Sequence, residues 1–188
     1  MPPVRGSSLE VGGQGCEFRS YSQFMMNAVN LEIRPATFEE IPKAIRILVE
    51  ASLWLEQAGE MRWKPEQFTQ ATLEPLVHSG ELHLAFCSGT AVGTMYLQLE
   101  DQIFWSDVPP AESLFIHKLA VAQEARGTGV ANAMIEFAKL EVQRHGRKYL
   151  RLDCRDHPKI RAAYENAGFR LRDIGMFVGS MFCRYELE

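Results

Sequence analysis

Several broad classes of protein are excluded by what this 188-residue sequence lacks. Its four cysteines, Cys16, Cys87, Cys154 and Cys183, are scattered, with no C-x-x-C and no Cys/His pairing at metal spacing. A disulfide scaffold and a structural metal site are therefore not expected. Cys87 and Cys154 sit in apolar, strand-like runs, where a reduced buried thiol is the natural state. The histidines form no H-E-x-x-H pattern, so the expectation is a metal-free, cytoplasmic protein. No apolar run approaches the roughly 18 residues of a membrane span. Positive charge is not in excess: 20 Lys and Arg against 24 Asp and Glu leave a net charge of −4, which argues against a nucleic-acid partner. Residues 1–29 lack periodicity and lack the apolar core of a signal peptide. They are expected to be a disordered extension ahead of one folded domain, residues 30–188, long enough for a substantial core.

Within that domain the hydrophobic pattern alternates between the two periods. Leu31–Arg34 alternates as a strand, and Thr37 with Glu40 makes a capping box that opens a helix carrying Ile41, Ala44, Ile45 and Leu48 to about Gly59. A second helix is predicted over Pro65–His78, then strands Glu81–Cys87 and Ala91–Leu99 around a Ser88-Gly89-Thr90 turn. Ile103–Trp105 reads as a short strand and Asp107–Glu112 as a loop. Strand Leu114–Ala122, a helix with Val130, Ala133, Met134, Phe137 and Leu140 on one face, strand Tyr149–Cys154 and helix Pro158–Ala167 follow. Gly168 is a helix stop, and Phe169–Asp173 and Phe177–Leu187 are the last strands. This order predicts a mixed α/β fold.

Between the strand ending at Ala122 and its helix lies Arg126-Gly127-Thr128-Gly129. A helix start presents unpaired N–H groups and partial positive charge. Glycines let the backbone close on an anion, so the segment is suited to a phosphate or pyrophosphate, with Arg126 adding a charged contact. Asn132 stands where a dinucleotide fingerprint needs its third glycine, and no G-x-x-x-x-G-K-[ST] run exists.

The segment resembles the signature of the GNAT superfamily of N-acetyltransferases, in which L-x-V precedes [QR]-x-x-G-x-[GA]. Here these are Leu119-Ala120-Val121 and Glu124-Ala125-Arg126-Gly127-Thr128-Gly129, with Glu124 where the pattern has Gln or Arg. A second run, residues 157–169, resembles the later motif N-P-x-x-x-x-x-Y-E-x-x-G-F: Tyr164, Glu165, Gly168 and Phe169 fit, and His157 replaces Asn. The resemblance implies a central, mostly antiparallel sheet splayed at the cofactor site and flanked by helices. It implies acetyl-CoA as co-substrate, held by Leu119, Ala120, Val121, Arg126, Gly127, Thr128, Gly129, Val130, Ala131 and His157.

Acetyl transfer needs a polarised thioester carbonyl, a neutral amine and a proton for the leaving thiolate. Backbone N–H groups of the L-x-V strand serve the first need. The resemblance makes Tyr164 the general acid, and a phenol near pKa 10 can protonate a thiolate near 8.5. His117 is the candidate base, sharing a strand face with Leu119 and Val121, with a water relay as the alternative. The loop acids Asp107 and Glu112 are weaker candidates. Trp54, Leu55, Glu56, Met61, Trp63, Phe104 and Trp105 fall where the resemblance places the acceptor, and Trp54, Trp63 and Trp105 are the expected aromatic walls for a small cationic amine. Core packing is the competing reading for each. A protein lysine or N-terminal acetyltransferase, and a non-catalytic acetyl-CoA sensor, are the rival functions. An exposed final strand could pair across a homodimer, but nothing in the sequence demands one.

Overall fold

The computed structural model describes residues 31–57, 59 and 63–188; the N-terminal extension 1–29 and Met61 lie outside them. Strand β2, Leu82–Cys87, is buried at every position. Leu82, Leu84 and Phe86 point to one hydrophobic cluster while Ala85 and Cys87 point to another. Both faces of the sheet are therefore covered, because successive side chains alternate across it. On one face pack α1, Ile41–Gln57, and α2, Gln70–His78. On the other lies α3, Val130–Arg144, with α4, Pro158–Asn166, contributing Ile160 and Tyr164.

The sheet has seven strands in the order β1-β2-β3-β4-β5-β7-β6. Besides β2, these are β1 (Leu31–Pro35), β3 (Thr90–Gln98), β4 (Ser113–Val121), β5 (Tyr149–Arg155), β6 (Arg170–Phe177) and β7 (Ser180–Leu187). All neighbours are antiparallel except β4 and β5. The mixed α/β, mostly antiparallel architecture is the expected one.

Several local expectations change. The Thr37–Glu40 capping box is present, but it closes a 3-10 turn, Phe38–Glu40, that runs into α1. The second predicted helix is broken: a 3-10 turn spans Pro65–Gln67, and Thr69 then caps α2. Ile103–Trp105 is a turn held by Asp101, whose Oδ1 accepts the N–H groups of Ile103 and Phe104. Leu140 is exposed; Val130, Met134, Ile135, Ala138 and Val142 form the buried face of α3. The final hairpin turns at Val178-Gly179, both with positive φ, so β6 extends to Phe177. The last strand, β7, lies between β5 and β6. The open edge on that side is β6, which removes the expected route to a dimer through the final strand.

Candidate active site

The parallel pair β4–β5 is in register only from Ser113↔Tyr149 to Ile116↔Leu152, although β4 continues to Val121 and β5 to Arg155. Beyond Ile116 and Leu152 the strands part. Into that wedge opens a cavity of about 730 Å³ walled by Ile116–Val121 of β4 and Asp153–Arg155 of β5.

On its other side β4 carries a bulge. Thr94 of β3 pairs Ala120 and Tyr96 pairs His117, so β4 spends one residue more than its partner. Lys118, with φ of 51°, takes the left-handed conformation that the bulge demands. A non-glycine residue rarely does so without a structural reason. The bulge falls at the splay, beside Leu119, and Lys118 Nζ lies 5.0 Å from the Trp63 ring.

The segment after β4 turns through a 3-10 helix, Gln123–Ala125, into Gly127 and Gly129, with φ of 75° and 92°. Gly129 is the N-cap of α3, in left-handed backbone and with no side chain to cap it, so the first N–H groups of the helix have no intrahelical partner. Thr128 Oγ1 donates to Ala125 O at 2.6 Å, tightening the turn. Arg126 lines the cavity, with its guanidinium 4.8 Å over Trp54. Val130 is buried beneath the helix start. These features fit a pyrophosphate: a cradle of N–H groups, a guanidinium beside it, and no Cβ at the closest turns. Arg46 of α1 stands 3.5 Å from Glu124 and also donates to Ala91 O and Glu50.

The later motif has a structural explanation. Gly168 N–H donates to Glu165 O and Phe169 N–H to Tyr164 O, with Gly168 at φ of 94°. This pair of bonds is a Schellman ending, and the Tyr164–Phe169 ring contact at 5.9 Å is its accompanying hydrophobic clasp. The ending fixes Tyr164 at the cavity wall. Burial pushes its phenol well above the ordinary value, with Cys154 and Asp153 nearby adding to the effect. His157 caps the other end of α4, its Nδ1 accepting from Lys159 N at 3.3 Å. A capping duty is what the usual Asn would also supply. His157 is not at the cavity wall.

His117 lines the cavity from β4, with Nε2 3.4 Å from Asp101 Oδ2 and Nδ1 3.7 Å from Asp153 Oδ1. Burial alone would raise the Asp101 carboxyl, but contacts from His117 and from the Phe104 and Ile103 N–H groups outweigh it and hold it below the usual range. These three side chains bring ligand atoms within 4.8 Å of one another. Neither acid was singled out from sequence. Asp153 carried a signal, a charge inside an apolar strand; Asp101 carried none.

Trp54, Leu55, Trp63 and Phe104 also line the cavity. Trp105 does not. It is 1% exposed, packed at a tilt against Phe115 and surrounded by the guanidinium groups of Arg151, Arg172 and Arg184 at 4.9–5.4 Å. It is a core residue, as its polar-looking loop context concealed. Asp107 and Glu112 are likewise taken up in ion pairs, Asp107 with Arg172 and Arg184 and Glu112 with Arg151. At the far end of the cavity Phe104 packs at a tilt against Phe177 at 4.9 Å and edge-on against Phe182 at 5.1 Å.

A splayed parallel pair, a bulge and a glycine-capped helix start together define an acyltransferase that works from a coenzyme A thioester. The chain belongs to the GNAT acetyltransferase family, whose domain model matches residues 78–171, half of its length. It is 23% identical over 163 residues to the uncharacterized N-acetyltransferase YesJ of Bacillus subtilis, covering 81% of this chain and 86% of that protein. A GNAT-family acetyltransferase from Listeria monocytogenes has the same fold, with a TM-score of 0.71 at 22% identity over 84% of this chain and 94% of that one. The acetyltransferase yncA of Salmonella typhimurium, solved with acetyl-CoA, aligns with a TM-score of 0.66 at 13% identity, covering 85% and 94%. Similar folds act on acceptors as different as agmatine and a ribosomal protein. Among the described residues no helix is long and apolar enough to cross a membrane.

Proposed function

We propose that this acetyltransferase moves the acetyl group of acetyl-CoA directly to the primary amine of a small molecule. The observation that carries the reading is one continuous cavity that joins the L-x-V bulge, Tyr164 and His117 to an aromatic far end. The pyrophosphate rests on the N–H groups at Gly127–Ala131 with Arg126 beside it. Backbone N–H groups freed by the bulge at Leu119–Val121 polarise the thioester carbonyl. Tyr164 protonates the leaving sulfur. Its burial keeps the phenol fully protonated at working pH and also raises the basicity of a thiolate in the same dry site.

The acceptor enters from the side of Trp54, Trp63, Phe104, Phe177 and Phe182. Aromatic faces with Asp153 among them suit a compact cation carrying an apolar stem. A folded protein segment would need an open polar groove, and the aromatic walls favour the small acceptor.

The test is acetyl-CoA consumption against a broad panel of amines and peptides, with Tyr164→Phe as control. The expected result is turnover with one class of small amine, and a kcat about 10²-fold lower in the variant with coenzyme A affinity kept. Turnover with peptides alone would overturn the small-molecule reading, and tight binding with no turnover would mean a sensor.

A further inference from the structure

The hairpin that joins β6 to β7 turns on a residue ill suited to it. Phe177 and Ser180 are register partners, so the turn between them has two residues, Val178 and Gly179, with φ of 47° and 75°. Two-residue turns with positive φ at both places favour Asn-Gly or Gly-Gly, because a Cβ crowds that backbone. A β-branched residue there is an outlier. Packing within the chain does not explain it, since Val178 is 87% exposed. It does line the cavity, together with Phe104, Phe177, Ser180 and Phe182.

A second feature lies behind this wall. Gly175 of β6 is the register partner of Phe182 on β7. A Cβ at Gly175 would fall 2.5 Å from Phe182 Cζ and 2.7 Å from its Cε1, so the ring lies over bare backbone. Phe104, edge-on to that ring, is fixed at both ends of its residue. Its N–H donates to Asp101 Oδ1 and its O accepts from Arg184, each at 2.9 Å. Arg184 also donates to Asp173 of β6, which ties the Phe104 loop to the hairpin. None of these wall residues carries a charge. Arg155, the register partner of Phe182 on β5, also lines the cavity and has the wrong sign for a second ammonium.

We propose that Phe104, Phe177, Val178 and Phe182 form a subsite for an uncharged, apolar tail of the acceptor, which is therefore an alkyl or arylalkyl monoamine. This rests on the small-molecule acetyltransferase reading above. Val178 covers the outer side of the tail, and its strained backbone is kept for that contact. An Asn would relax the turn and lose the apolar cover. Gly175 is a positioning residue that sets the depth of the subsite by letting Phe182 lie back on the strand. A methyl group there displaces the ring, and the fixed Phe104 leaves the cavity as the way out.

The experiment measures kcat/KM for unbranched primary amines of rising length, for an arylalkyl amine and for diamines of matching length. In the intact chain kcat/KM should rise about fourfold per methylene until the subsite is full, the gain from burying one CH₂. The matching diamines should be poorer substrates. Val178→Asn should raise Tm by a few degrees yet reduce the gain per methylene, a split that a merely structural role for Val178 would not produce. Gly175→Ala should move the optimum to a shorter amine. Activity that is flat with length, or higher for diamines, would overturn the subsite and leave the acetyltransferase reading standing. An unchanged length dependence in Val178→Asn would overturn it too. Calorimetry of the same amines with coenzyme A present needs no turnover. Affinity that grows with length in a chain that acetylates none of them would sink the acetyltransferase reading and leave the subsite. The series on the intact chain decides even if Gly175→Ala fails to fold.

Discussion

Under the proposed function Glu124 occupies a position where a carboxylate would repel a pyrophosphate, yet the loop around it is intact. The answer lies in another residue, Arg46, which α1 brings to 3.5 Å of Glu124 while its second nitrogen donates to Ala91 O at 2.8 Å. Both partners are partly exposed, so the pair contributes little to stability. Its effect is to cancel a local charge. Arg46→Ala should therefore weaken coenzyme A binding about fivefold, roughly the 1 kcal/mol that a neighbouring charge exerts in a partly solvated site. Adding Glu124→Gln to that variant should restore the affinity. Calorimetry on the wild type and both variants measures this, and an unrestored double variant would mean that Arg46 acts by holding Ala91 and α1 rather than by neutralising Glu124. Nothing within the loop sequence could reveal the pair, because its members are far apart in the chain.

At the scale of elements, α3 lies close over the sheet because Gly93 of β3 has no side chain. A Cβ there would meet Met134 Sδ at 2.7 Å and Val130 Cγ1 at 3.0 Å. Met134 can swing aside, but Val130 is stiff and sits at the helix start. Gly93→Ala should cost about 1–2 kcal/mol in urea unfolding. It should also lower coenzyme A affinity, since any lift of Val130 tilts the N–H groups to which the proposed function assigns the pyrophosphate. Unchanged affinity would show that the helix start is set by the loop rather than by the packing beneath it. Elements of this kind were legible in sequence where period and punctuation agreed: the β4–loop–α3 unit, and α4 with its Gly168 ending. They were misread where tertiary contacts decided. Phe68 interrupts the second helix because its ring belongs in the core beside Trp63. The Ile103–Trp105 segment curls round Asp101 because a buried carboxylate can replace a strand partner as acceptor.

For the whole molecule, the splay that makes the cavity is also a division of the sheet. On one side stand β1–β4, with α1 and α2 packed against them; on the other stand β5, β7 and β6. Direct strand pairing across the divide is confined to Ser113–Ile116 with Tyr149–Leu152. The family resemblance foretold this wedge, but periodicity could not, because both segments run on as strands past Ile116 and Leu152 and where two distant strands stop pairing is written in neither one alone. A ligand lying in the wedge touches both halves and binds only the folded chain. At a hundred times its Kd it should stabilise the protein by about 2.7 kcal/mol. For a chain of this size that is a rise in Tm of roughly 5–10 °C. Gly129→Glu places a carboxylate at the helix start and forces a side chain onto a φ of 92°. Its own Tm should fall by a few degrees, the cost of about 1–2 kcal/mol of left-handed backbone strain. The decisive quantity is the shift with coenzyme A, which should vanish in the variant and persist in Tyr164→Phe. A shift that survives Gly129→Glu would place the stabilising contacts in the wedge itself, with the pyrophosphate loop a minor partner.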